Sequence, residues 1–174
     1  MKKISNQGMA QLALSVVTAA VLTACGGGGG GSSEAPASNS ASASGVAAVG
    51  SPIAGGAVTL KCASGASASA TTGTDGFWSA SLKGSDFPCV IRVAGGQANG
   101  QALTTPLHSM VAAAGLANIT PLTDLMVGIV SGQKPAAWFD SATNGSLTGA
   151  IHAGALATAQ DKLKAVLSSL PGKP

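Results

Sequence analysis

Tyrosine is absent from this chain of 174 residues, and charge is scarce, with nine Lys and Arg against six Asp and Glu. The few basic residues are scattered, so binding to nucleic acid, which needs a clustered basic footprint to neutralise phosphates, is not expected. Only two histidines occur, His108 and His152. They stand far from each other and from the cysteines, whereas zinc requires four ligands at short spacings, so no metal and no cofactor is expected. Asp75, Asp86, Asp124 and Asp140 are widely separated. Each has a turn or cap role available, which leaves neither a carboxylate pair nor a calcium loop. Gly145-Ser146-Leu147-Thr148-Gly149 lacks the spacing of a nucleophile elbow. Ser109, His108 and Asp124 could be named as a triad, but neighbouring residues in regular structure point in different directions. The chain is therefore not expected to be an enzyme. No apolar run reaches the roughly 20 residues that span a bilayer, since Gln7 and Gln11 interrupt the N-terminal segment.

What is present begins at the N-terminus. Lys2 and Lys3 precede an apolar segment, Leu12 to Leu22, that ends in small residues, the pattern of a secretory signal. Leu22-Thr23-Ala24-Cys25 resembles the lipobox of bacterial lipoproteins. The resemblance implies cleavage after residue 24, a diacylglyceryl thioether on Cys25 and an acyl group on its new amino terminus. Each buried methylene contributes about 0.8 kcal/mol, so one chain binds a membrane reversibly and two or three hold it durably. Lipoproteins retained at the inner membrane commonly carry an aspartate after the cysteine, and this chain has Gly26. The resemblance thus implies a protein lipid-anchored in the cell outer membrane, with an envelope protein as partner.

Gly26 to Gly31 open a Ser-, Ala- and Gly-rich stretch to Gly45 that is expected to be a flexible linker over residues 25–45. About 20 such residues reach roughly 25 Å root-mean-square. A phosphate-binding loop is excluded, because no Lys-Ser or Lys-Thr follows the glycines. From Cys25 onward there are seven basic and six acidic residues, a net charge of +1. What remains has room for one modest domain, too small for a large enzyme. With Cys25 lipidated, Cys62 and Cys89 are the two cysteines left in an exported chain, and a disulfide between them is expected.

Residues 46–105 read as a small antiparallel β-sandwich. In Val58-Thr59-Leu60-Lys61-Cys62 apolar and polar residues alternate, the period of a half-buried strand. Trp78, Ala80 and Leu82 share one face of their run, and Cys89, Ile91 and Val93 share one face of theirs, leaving Arg92 to solvent. Gly55-Gly56, Gly73-Thr74-Asp75-Gly76, Gly84-Ser85-Asp86 and Gly95-Gly96 punctuate the runs as turns. Ser51-Pro52-Ile53-Ala54-Gly55-Gly56-Ala57-Val58-Thr59-Leu60, followed by Thr72-Gly73-Thr74-Asp75-Gly76-Phe77-Trp78, resembles the carboxypeptidase regulatory-like sandwich, a relative of transthyretin-like and prealbumin-like modules. Such modules are not catalytic, and the resemblance implies a structural or binding role. Trp78 reads either as core or as a stacking platform for a sugar ring, with Trp138 and Phe77 as further stacking candidates for a carbohydrate or small ligand.

Residues 106–174 read as a helical segment of two or three helices. Thr120-Pro121-Leu122-Thr123-Asp124 combines an N-cap threonine, a proline at the first helical position and an early acid, starting a helix that runs to Ser131 and stops at Gly132. Asn118-Ile119-Thr120-Pro121-Leu122-Thr123-Asp124-Leu125 is similar to a segment that follows the sandwich in a group of proteobacterial lipoproteins. Those proteins often continue further, and this chain is expected to be a short or truncated member. Ile151, Ala155, Ala159, Leu163, Val166 and Leu170 form one apolar stripe of a last helix, which Pro171-Gly172 ends.

Overall fold

The computed structural model describes residues 39–169. The signal segment, Cys25 and most of the expected linker therefore lie outside the described residues. Of the two compact units into which the chain divides, the one from Ala35 onward contains every element below.

A four-stranded antiparallel sheet organises this unit. Its members are β3 (Ala57–Cys62), β4 (Ser67–Thr71), β6 (Cys89–Ala94) and β9 (Leu107–Val111), in the order β4-β3-β6-β9. The strand read from alternation at Val58 to Cys62 is β3. Its Val58, Leu60 and Cys62 point to one side, together with Cys89, Ile91 and Val93 of β6 and Leu107 and Val111 of β9, and all are buried in one cluster. Facing them across that core is a second sheet, β10-β1-β5, made of β1 (Ser40–Val46), β5 (Phe77–Lys83) and β10 (Gly115–Leu116). Its contributions include Trp78, Ala80, Leu82 and Ala43. A small third sheet joins β2 (Ile53–Ala54), β7 (Gln97–Ala98) and β8 (Gln101–Ala102). The mixed β plus α architecture, sheets first and helices after, is the one the sequence indicates.

Two boundaries move. The expected linker extends to Gly45, yet Ser40–Val46 is the middle strand of its sheet, paired with β5 from Ser40↔Lys83 to Val46↔Phe77. Low-complexity composition disguised it, because its core-side residues are Ala43 and Gly45, whose small size lets the backbone of Ala117 approach. A Cβ at Gly45 would collide with the Ala117 carbonyl oxygen. The segment expected to be helical from residue 106 likewise opens with two more strands, β9 and β10. β9 is buried on both faces, so it shows no polar and apolar alternation.

The turn entering β5 shows why its motif has its composition. Thr72 Oγ1 accepts the Gly56 amide at 2.7 Å, Asp75 Oδ1 accepts the Phe77 amide at 2.9 Å, and Gly76 takes a φ of 75° that side chains resist. At the 3-10 turn Gly84–Asp86, the Asp86 carboxyl lies below its ordinary range, held there first by the Lys83 amide and then by the Ser64 hydroxyl. Its contribution to stability is present above the ordinary carboxylate range and is lost as pH falls through the lowered value.

Four helices follow where two or three were expected: α1 (Pro121–Ser131), α2 (Pro135–Ser141), α3 (Asn144–Ala150) and α4 (Ala153–Ser169). α2 and α3 have seven residues each, too few to display a 3.6-residue period. Val127, Trp138, Phe139, Leu147 and Ile151 pack on Ala63 and Val90, forming a second core on the outer face of the four-stranded sheet. Ile151 caps α3 rather than joining α4, and the expected stripe is covered at Ala159 but open at Val166, which is 57% exposed.

Candidate functional site at the strand to helix junction

Asn118 to Asp124 form the joint between the sandwich and the helices, and within it Asn118, Ile119, Thr120, Thr123 and Asp124 each have a packing or hydrogen-bond partner. Asn118 Oδ1 accepts the amide of Val46 at 3.0 Å, and Ile119 is fully buried in the sandwich core. Thr120 caps α1, its hydroxyl accepting the Thr123 amide at 3.2 Å, with Pro121 at the first helical position. At the far end Gly132 adopts φ 66° and its amide donates to the Gly128 carbonyl, so α1 ends where the sequence says it should.

Thr123 and Asp124 then reach back to β9. The Thr123 hydroxyl donates to the His108 carbonyl at 2.9 Å. Asp124 Oδ1 accepts the His108 amide at 2.9 Å and lies 2.7 Å from His108 Nδ1. A carboxylate oxygen can only accept, so the ring nitrogen facing it, Nδ1, is the one that donates. Nε2 is buried and has no hydrogen-bond partner, and the ring packs tilted against Phe139 with centroids 5.8 Å apart.

Phe139 is in turn enclosed by cations. The Arg92 guanidinium carbon lies 4.3 Å from its ring centroid and Lys61 Nζ lies 4.8 Å away. Lys61 Nζ also donates to the carbonyls of Phe139 at 2.9 Å and Asp140 at 3.1 Å, satisfying the end of α2. Arg92 pairs with Asp140 Oδ1 at 3.1 Å. Arg92 was expected to face solvent, but with the helices packed on that side it is half-buried against Phe139 instead. Cross-strand registry places Arg92 opposite His108, so the helix-side face of the sheet carries one connected set of Lys61, Arg92 and His108.

The expected site residues divide as follows. Cys62 and Cys89 are bonded, and they sit directly opposite each other on β3 and β6. Trp78 and Trp138 do not form stacking platforms: at 1% and 3% exposure, they lie in the sandwich core and the helical core respectively. Bulky apolar groups at core positions are drawn inward by the area they remove from water. Phe77, 48% exposed, remains outside. Strand alternation sends Ser109 toward the sandwich while His108 faces the helices, so the serine and histidine do not meet. His108 and Asp124 do meet, a contact across 16 residues that sequence spacing did not reveal. The early acid of α1 signals a helix start, and nothing in the sequence says that it also grips a strand.

Beside this joint runs a shallow groove of about 250 Å³ lined by Met110, Leu116, Asn118, Met126, Leu156 and Gln160. No acid, base or cysteine lines it. Among the described residues no group of three His, Cys, Asp or Glu is placed to hold a metal ion. No protein-family model and no curated protein matches the chain.

Chemically, the joint is a latch. A general base must come within hydrogen-bond reach of a substrate proton, and His108 Nε2 is buried in the interior. Asp124→Ala would strand the His108 amide and Nδ1–H in a half-buried position. The expected cost is about 2–6 kcal/mol, from two unsatisfied donors at roughly 1–3 kcal/mol each, and urea unfolding measures it. An unchanged unfolding midpoint would show that the latch holds nothing.

Proposed function

We propose that this is a non-catalytic lipoprotein, anchored in the outer membrane through Cys25, whose sandwich serves as a structural or protein-interaction module of the cell envelope. The observation that carries the reading is the distribution of the three cysteines. Two are joined within the folded unit, as suits a chain exported to an oxidising compartment, and the third stands in the lipobox-like Leu22-Thr23-Ala24-Cys25. The polar side chains of the joint support the same reading, since they are engaged with one another and tie helices to sheet. The resemblance to the carboxypeptidase regulatory-like sandwich, carried by Ser51 to Leu60 and Thr72 to Trp78, points the same way. No cofactor and no nucleic acid belongs to this reading. A carbohydrate module loses its main support with both tryptophans interior.

Replacing Cys25 by serine tests the anchor. Wild type is expected to partition with detergent and membranes, and the Cys25→Ser variant to lose that partition without a change in its melting temperature. A wild-type mature mass that lacks acyl groups, or retains the first 24 residues, would sink the proposal. Cross-linking in intact cells followed by capture of the lipidated protein would identify the partner.

A further inference from the structure

Asn-Gly occurs twice in the chain, at Asn99-Gly100 and at Asn144-Gly145, and the fold treats the two pairs differently. Asn99 and Gly100 are the whole loop of the β7–β8 hairpin, whose strands pair only at Gln97↔Ala102 and Ala98↔Gln101. Both loop residues are exposed and have positive φ, 50° and 75°, as a tight two-residue hairpin turn demands. Nothing lies within 4 Å of the point where a Cβ would stand on Gly100.

We propose that Asn99 is a site of spontaneous, self-catalysed modification, and that Asn144 is shielded from the same reaction by its helix. The backbone nitrogen of Gly100 attacks the Asn99 side-chain carbonyl carbon, the new C–N bond closes a five-membered succinimide, and ammonia leaves. Water then opens the ring at either carbonyl, giving aspartate or isoaspartate. Glycine exposes its amide nitrogen as no other residue does. Closing the ring requires turning the backbone between the two residues. At Asn99 that motion disrupts a hairpin of two short strands, whose local opening is easy. At Asn144 it would break the first turn of α3, where Thr143 Oγ1 accepts the Ser146 amide and the Thr148 hydroxyl bonds the Asn144 carbonyl at 3.0 Å.

The isoaspartate product would have a structural effect because it adds a carbon to the main chain and a negative charge to a neutral hairpin. A two-residue turn cannot absorb the extra atom, so the Ala98↔Gln101 pair is lost and the Ile53↔Ala98 pair beside it loosens. The four-stranded sheet, which shares no ladder with this hairpin, stays intact. The chain thus carries a chemical record of its age at one edge of the sandwich.

Incubating the folded mature chain at mildly alkaline pH and sequencing its peptides by fragmentation mass spectrometry tests this. Asn99 should convert several-fold faster than Asn144, and the converted fraction should lose amide-exchange protection at Gln97–Ala102 and Ile53–Ala54 while β3 and β6 keep theirs. Conversion at Asn144 as fast as at Asn99, or at Asn99 no faster than at Asn118, which precedes isoleucine, would overturn the inference.

Discussion

Replacing Cys62 and Cys89 together by alanine is expected to destabilise the folded unit by about 3–4 kcal/mol and to lower its melting temperature by roughly 10–15 °C. The bond links residues 27 apart, and on the chain-entropy account a closed loop of that size removes this much freedom from the unfolded ensemble. Its place adds to the effect. Both cysteines are buried, they face each other across β3 and β6, and they belong to the core between the sheets. Losing both sulfurs therefore also removes packed atoms. Because a domain of this size commonly has only about 5–15 kcal/mol in total, the variant should sit near the edge of folding at physiological temperature. Urea unfolding of the variant, beside wild type with and without reductant, measures the difference. A variant within about 1 kcal/mol of wild type would show that the ladders alone hold the two strands.

Trp78→Ala is expected to cost about 3–5 kcal/mol, the range for emptying a buried aromatic site. Trp78 sits on β5 with its indole between the two sheets, among the residues that meet across the core. The strand beside it has only small residues to refill the volume, Ala43 and Gly45 of β1, and Ala80 is the next core-side residue of β5. Trp78→Phe should cost much less. The indole Nε1 is buried without a hydrogen-bond partner, so the smaller ring gives up apolar area while also removing an unsatisfied donor. The ratio of the two losses, read from unfolding midpoints, separates a packing role from a recognition role. If Trp78→Ala left stability unchanged, the indole would have to be outside the core.

How much of this was legible varies by element, for physical reasons. Amphipathic pieces announced themselves: Ala57–Cys62 is a strand because its apolar residues alternate, and Pro121–Ser131 is a helix because a threonine caps it and a glycine ends it. Elements buried on both sides or built from small residues did not. β9 has no solvent face to mark its period, and β1 looks like linker because its core-side residues are only Ala43 and Gly45. Of the candidate site, the cap at Thr120 was readable, whereas the grip of Asp124 on His108 and the burial of Trp138 were not. Each depends on an element distant in sequence.

By itself the sequence determined local matters: where α1 starts and stops, and which face of β3 turns inward. Only the tertiary structure decided that a Ser and Ala strand would lie between β5 and β10, that Arg92 would lie half-buried over a phenylalanine, and that Trp138 would be interior. The division follows from range. Periodicity and capping act over a few neighbours along the chain, while burial is settled by whichever surfaces the rest of the fold brings up against a residue.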